Sequence, residues 1–266
     1  MRENRIEVKL AELKKDNQKA LITYVTAGLP SLEKTIELII AQEEAGVDVI
    51  EIGVPFSDPV ADGPVIQDAS FRSIQNGTNL RKTFDAIETA RKSSNVPIVF
   101  MMYYNTISYY GLDEFAAKCA TVGVDGVIIP DLPFEEQGFL QAALAKVEDA
   151  PILIQLVAPV SKQRIPMILE NARGFVYCVS QMGVTGKGTV FHKDIKEYLA
   201  NVKSIAKIPI MMGFGIKTAA DVLPLKDEID GAIVGSAFIR LLEANDFDVN
   251  VAKEYVTTFK KELNAF

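Results

Sequence analysis

Carboxylates crowd one short stretch of this chain, where Glu51, Asp58 and Asp62 fall within Glu51-Ile52-Gly53-Val54-Pro55-Phe56-Ser57-Asp58-Pro59-Val60-Ala61-Asp62. The one histidine is His192, and Cys119 and Cys178 stand apart without CxxC spacing, so a multi-histidine metal site and a cysteine zinc cluster are excluded. Both cysteines read as small core residues. Chemistry must rest on carboxylates, hydroxyls and backbone amides. Alternation along Val47–Gly53 puts Val47, Val49, Glu51 and Gly53 on one strand face, with Glu51 near the C-terminal end. A partly buried carboxylate with no cation nearby in sequence titrates above its usual range, which suits it to proton transfer near neutral pH. The alternative is a glutamate paired with a cation for structure. Asp62 reads in two ways, as a second catalytic carboxylate or as the cap of a helix opening at Gly63-Pro64, and Ser57-Asp58-Pro59 is compatible with plain turn chemistry.

Backbone amides enter through three glycine-bearing segments, each behind a strand-like run: Gly183-Val184-Thr185-Gly186, Gly213-Phe214-Gly215 and Gly235-Ser236. In many α/β barrels the loops after the last two strands, with the N-terminus of a short extra helix, bind phosphate through N–H groups, and Ser236–Leu242 reads as such a helix. The bland alternative is that these glycines merely permit turns. Tyr177 either packs in the core or presents its hydroxyl at the same mouth. Gly186-Lys187-Gly188-Thr189 is not a P-loop, because Gly188 stands where Ser or Thr is required, and Gly213-Phe214-Gly215 lacks the third glycine of a dinucleotide fingerprint, Thr218 standing there.

The elements that must hold these residues alternate from end to end. Short β-rich runs are read at Leu21–Ala27, Val47–Gly53, Pro97–Tyr103, Val124–Pro130, Pro151–Val157, Gly174–Ser180, Ile208–Gly213 and Ile229–Gly235, with amphipathic runs between them. Their near-continuous apolar character fits a parallel sheet covered on both faces. A weak repeat, Gly46-Val47-Asp48, Gly123-Val124-Asp125 and Ile229-Asp230-Gly231, is read as helix ends turning through glycine into strands. Ser31, Asp113 and Ser161 are read as helix N-caps, Pro64 as the first turn of a helix that stops at Gly77, and Asn79 as the start of the next. Eight such units without a linker predict a (β/α)8 TIM barrel with an N-terminal helix and extra short helices in the βα loops, as a single domain over residues 1–266.

Composition narrows the partners. The 266 residues are 48% hydrophobic, enough for a large core, and the net charge of −7, with 35 acidic and 28 basic residues scattered along the chain, argues against nucleic acid. No apolar run is long enough to span a bilayer and no secretory leader is read at the start, which predicts a cytoplasmic protein with no membrane partner.

The run Ile50-Glu51-Ile52-Gly53-Val54-Pro55-Phe56-Ser57-Asp58-Pro59-Val60-Ala61-Asp62-Gly63 resembles the signature of tryptophan synthase alpha chains. Thr26-Ala27-Gly28, Met102-Tyr103-Tyr104-Asn105, Pro130-Asp131-Leu132-Pro133, Gly183-Val184-Thr185-Gly186, Gly213-Phe214-Gly215-Ile216 and Gly235-Ser236 follow in the family's order, so the resemblance covers nearly the whole chain. It implies retro-aldol cleavage of indole-3-glycerol phosphate to indole and glyceraldehyde 3-phosphate in tryptophan biosynthesis. The position of Glu51 would carry the proton, and that of Asp62 would face the indole N–H. It further implies that Tyr177 lines the site, that Thr185 belongs to a closing loop, and that Gly186, Gly215, Gly235 and Ser236 bind phosphate. No cofactor is implied in this chain. Pyridoxal phosphate is implied in a beta subunit, met through Asp58 and Pro59 in an alpha2beta2 assembly, that receives the indole. Some members carry Arg-Ser where this chain has Gln181-Met182, which touches the closing loop. Two rivals remain at this stage, a phosphoribosyl-type isomerase barrel and a non-catalytic activator.

Overall fold

Residues 3–179, 191–213 and 215–265 are described by a computed structural model. Its strands are β1 (Ala20–Thr26), β2 (Val49–Gly53), β3 (Ile98–Met101), β4 (Gly126–Ile128), β5 (Ile152–Leu153), β6 (Gln155–Val157), β7 (Val176–Val179), β8 (Ile210–Gly213) and β9 (Gly231–Val234). All ladders between them are parallel, in the order β5-β4-β3-β2-β1-β9-β8-β7-β6. The fifth apolar run of the sequence appears as two short strands because its partner changes along its length. Residues before Ile154 pair with β4, and those after it pair with β7. The Ile154 N–H itself donates to Val127 O at 2.9 Å, so the one segment joins the two ends of the sheet into a ring. The eight-unit barrel expected from the alternating pattern is thus present, with a divided fifth strand. Strand three is shorter than its apolar run: Pro97 has no N–H to give a ladder, and Tyr103 already caps the helix Tyr104–Tyr110.

Two separate apolar layers follow from strand alternation. The larger lies between strands and surrounding helices, and the smaller fills the barrel. The amphipathic helix Arg5–Lys15 closes one end by setting Ile6, Leu10 and Leu13 against interior residues such as Ile22, Val49, Val99 and Met211. Each fully buried side chain of this kind contributes roughly 1.5–3 kcal/mol. Asn4 starts that helix by accepting the Ile6 N–H, and its amide donates to Asp125 O at 2.8 Å, tying the plug to the beginning of β4.

The repeat seen in the sequence works through its aspartates more than its glycines. Asp48 accepts the Leu21 N–H at 2.7 Å, Asp125 the Ile98 N–H at 2.9 Å and Asp230 the Ile210 N–H at 2.8 Å. Each acid sits just before one strand and grips the first residues of its neighbour. Gly46 and Gly123 do end helices with positive φ, as read. Gly231 does not. It lies within β9, where an added Cβ would fall 2.5 Å from Met211 Sδ and 2.6 Å from Ala20 O, so it is required for close packing.

Helix starts were legible in part. Ser31 and Asn79 accept N–H groups from Lys34 and Lys82, and Pro64 opens the helix Pro64–Gln75. Asp113 is not a cap: Gly111 holds that place with φ 101°, and Asp113 stands in the first turn, where its charge suits the helix dipole and pairs with Lys146. Ser161 also fails as a helix cap. Its hydroxyl accepts the Ala158 N–H at 3.3 Å to close the 3-10 turn Pro159–Ser161, and the helix Ile165–Leu169 begins behind Arg164.

Candidate active site

Glu51 points into the barrel, on the same face of β2 as Val49, and is 1% exposed. In the parallel ladder it is the register partner of Tyr24 on β1. No hydrogen-bond partner of its carboxyl group occurs among the described residues, so the cation-paired structural reading of Glu51 has no support there. Burial, and then the nearby Asp62 charge, push its pKa from the usual carboxylate range up to about 8. Glu51 therefore holds a proton at neutral pH.

Asp62 reaches the same mouth from the loop behind β2 and is 7% exposed. The Tyr103 hydroxyl donates to Asp62 Oδ2 at 2.9 Å and accepts the Ala61 N–H at 3.0 Å, clamping the end of the loop. Phe56 stacks on the Tyr103 ring at 4.8 Å, while the Ser70 hydroxyl bonds both the N–H and the carbonyl of Phe56. Burial raises the Asp62 pKa to about 6 and the Tyr103 hydrogen bond works against that rise. Gly63, not Asp62, is the N-cap of Pro64–Gln75, which removes the capping alternative. Two buried carboxylates thus face one space with unequal proton affinities, the arrangement that separates an acid from an anion at neutral pH.

Tyr177 lies inward on β7, 6% exposed, and its ring fills the room left by Gly213, where a Cβ would meet its Cε1 at 2.6 Å. Glu51 and Asp62 both raise its pKa after burial does, so it belongs to the mouth as well as to the core. Tyr24 does the same on the other side: it occupies the room left by Gly53 and feels Asp62 and Glu51. Tyr24 was not among the residues singled out from sequence, and Tyr103 stood only inside the motif Met102-Tyr103-Tyr104-Asn105, without a role. Their signal was a strand register and a contact across 41 positions, neither of which a local pattern carries.

The helix Ser236–Ala244 begins directly at the mouth. Its N-cap, Gly235, has no side-chain cap, and a Cβ there would stand 3.7 Å from Tyr24 Cβ. Phe238 and Ile239 both donate to Gly235 O, which leaves the Ser236 and Ala237 N–H groups without a partner among the described residues. Gly215, behind β8, has φ 77°, a conformation glycine adopts without strain. Thr185, Gly186, Gln181, Met182 and Phe214 lie outside the described residues. Among the described residues no group of His, Cys, Asp and Glu has the arrangement of a metal site, and no helix is long and apolar enough to cross a membrane.

The family profile described as "Tryptophan synthase alpha chain" matches residues 10–265. The chain belongs to the tryptophan synthase alpha chain family. It is similar to the tryptophan synthase alpha chain of Lachnospira eligens, at 65% identity over 98% of this chain and 100% of the relative. It is also similar to that of Alkaliphilus metalliredigens, at 44% identity over 99% and 98%. Among solved structures, tryptophan synthase subunit alpha from Legionella pneumophila superposes with a TM-score of 0.89 at 31% identity, over 98% of this chain and 99% of the other. As a member of the tryptophan synthase alpha family the chain is a lyase that cleaves indole-3-glycerol phosphate in tryptophan biosynthesis. That sets aside both the isomerase and the non-catalytic readings.

Proposed function

We propose that Glu51 and Asp62 divide the cleavage between them, within one domain spanning residues 1–266. Protonated Glu51 gives its proton to indole C3, making the ring an iminium cation. The bond from C3 to the glycerol chain then breaks, its electron pair returns to the ring as neutral indole, and the carbon left behind becomes the aldehyde of glyceraldehyde 3-phosphate. That carbon's hydroxyl loses its proton to the Glu51 carboxylate, which restores the acid. Asp62, ionised, accepts a hydrogen bond from the indole N–H and opposes the positive charge that develops there. Tyr177 lines the ring site. The backbone at Gly215, Gly235 and Ser236, with Thr185 and Gly186, takes the phosphate. The observation that carries this reading is the buried Glu51 carboxyl whose pKa lies near 8 beside an Asp62 near 6.

The partner in this reading is a beta subunit, in an alpha2beta2 assembly of the cytosol, which holds pyridoxal phosphate and consumes the indole. A solved structure of tryptophan synthase from Mycobacterium tuberculosis is among those this chain is similar to. Support within the chain is an apolar rim: Val60, Tyr109, Phe139 and Val160 are 80%, 93%, 79% and 64% exposed. They stand on the segments behind β2, β3, β4 and β6, which follow one another around the barrel. Asp58 and Pro59 lie in the first of these segments, beside Asp62. The test is indole release from indole-3-glycerol phosphate by wild type and Glu51→Gln. Loss of about 100- to 10,000-fold with retained ligand binding is expected of a general acid–base group. Retention of more than a tenth of the wild-type rate would overturn the assignment.

A further inference from the structure

At the end of the barrel away from the mouth, a cavity of about 480 Å³ opens beside the last turns of Arg5–Lys15, Phe191–Ile205 and Val249–Leu263 and the starts of β1, β8 and β9. Five lysines line it, Lys14, Lys19, Lys203, Lys207 and Lys226, against two aspartates, Asp227 and Asp230. The excess of positive charge is not absorbed locally. Asp230 already accepts the Ile210 N–H, Lys203 donates to the backbone carbonyl of Asp227, and Lys19 donates to the carbonyls of Lys226 and Ile229. The ammonium groups of Lys14, Lys207 and Lys226 have no carboxylate partner among the described residues. Helix C-termini, which favour cations, account for Lys14 and Lys203. They do not account for Lys19 and Lys207, which sit on connecting segments, and Lys226 ends only the short 3-10 turn Leu223–Leu225. The crowding is felt at Lys19, whose pKa is lowered by burial first and then by Lys203 and Lys226, against the pull of Asp230 and Asp227.

Buried apolar residues, among them Leu13 and Leu263, complete the lining. A concave space of a few hundred Å³ into which several cations converge has the size of a small-molecule site. Lysine binds phosphoryl oxygens as a point charge. We propose that this cavity is a second ligand site, which takes a small polyanion of the phosphorylated-metabolite class. Its charged end is held by Lys203, Lys207 and Lys226, and its body lies along Leu13 and Leu263. Such a ligand binds the folded chain and so stabilises it by mass action.

The test is calorimetric titration of the full chain with inorganic pyrophosphate while glycerol 3-phosphate saturates the mouth. It compares wild type, Lys207→Gln/Lys226→Gln and the remote control Lys118→Gln. Wild type and control keep a pyrophosphate site, and the double variant binds about tenfold or more weakly, the effect of losing hydrogen bonds to a charged group. Its lyase kinetics are unchanged. Hydrogen-exchange protection by pyrophosphate falls on residues 13–20, 203–211 and 226–230. Lys207→Arg/Lys226→Arg, which keeps both charges, retains the site and guards against a misfolded variant. Absence of heat and protection in wild type at millimolar pyrophosphate overturns the proposal. So does equal affinity in the Gln variant, or protection confined to residues 231–240.

Discussion

The Tyr103 hydroxyl touches Asp62 Oδ2 and the backbone N–H of Ala61 at once, so one phenol sets both the charge and the position of the second carboxylate. Tyr103→Phe keeps the stack on Phe56 but removes the donor. The hydrogen bond lowers the Asp62 pKa, so its loss raises that pKa, and the acid limb of the pH–rate profile moves to higher pH. A hydrogen bond to a charged group is worth about 1.5–3 kcal/mol, which corresponds to a fall in turnover of roughly tenfold or more at neutral pH. An unmoved acid limb in the variant would show that Tyr103 does not tune Asp62.

Glu51 carries a stability penalty whose sign is fixed by its titration. Its pKa is about 8 in the folded chain against 4.5 ordinarily, so between those values the fold holds a proton that the unfolded chain releases. Stability from this group is greatest below the lower value and is lost as pH rises to the upper one. Glu51→Gln should therefore melt higher than wild type above pH 8 and converge with it near pH 4.5. Melting temperatures measured across that range, with parallel curves for the two proteins, would refute the burial of an acidic proton at this site.

For the phosphate corner, Gly235 gives the cleaner substitution. A Cβ there meets no atom closer than 3.7 Å, whereas Gly215 has a positive φ that penalises any side chain by about 1 kcal/mol before a ligand is considered. Gly235→Ala is expected to raise KM for indole-3-glycerol phosphate more than it lowers kcat, because it obstructs an anion at the helix start. A kcat loss with KM unchanged would move the phosphate elsewhere.

Asp58 should act only when the partner is present. Its carboxylate accepts the Ser57 hydroxyl at 2.5 Å and is bonded to neither Glu51 nor Asp62. Asp58→Ala is expected to lower the fold-activation of indole release by a beta subunit while the isolated chain keeps its basal rate. Where the partner strengthens binding of an alpha-site ligand, linkage requires that ligand to strengthen the partner's binding by the same factor. Rates with and without saturating beta subunit, for both proteins, are the measurement, and equal fold-activation would exclude the loop as the transmitter.

Sequence pattern carried the frame well because every barrel strand is covered on both faces and so reads as an apolar run. An acid such as Glu51 inside such a run is conspicuous. What the pattern could not carry was pairing. Tyr24 matters because register sets it beside Glu51, and Tyr103 because a loop folds back onto it. Asp113 looked like a cap because its type suits one, but the positive-φ backbone of Gly111 starts the helix two residues earlier. Gly231 looked like a helix end because its neighbours resemble those of Gly123, while its actual constraint is the Met211 side chain across the sheet.

The grips of Asp48, Asp125 and Asp230 on Leu21, Ile98 and Ile210 bear on how the barrel chooses its alignment. A parallel strand that slips by one residue exchanges its barrel-facing and helix-facing side chains, which in β2 would turn Glu51 out of the barrel. One that slips by two keeps the same faces in and out, so burial alone barely tells it from the right alignment. A buried carboxylate that must find one particular amide does tell them apart, since a misplaced neighbour leaves that amide and one carboxylate bond unmade in a dry setting. Three such pins, on β2, β4 and β9, act as index marks at the closed end. The loops at the other end are then free to diverge between relatives without shifting the strands that aim Glu51.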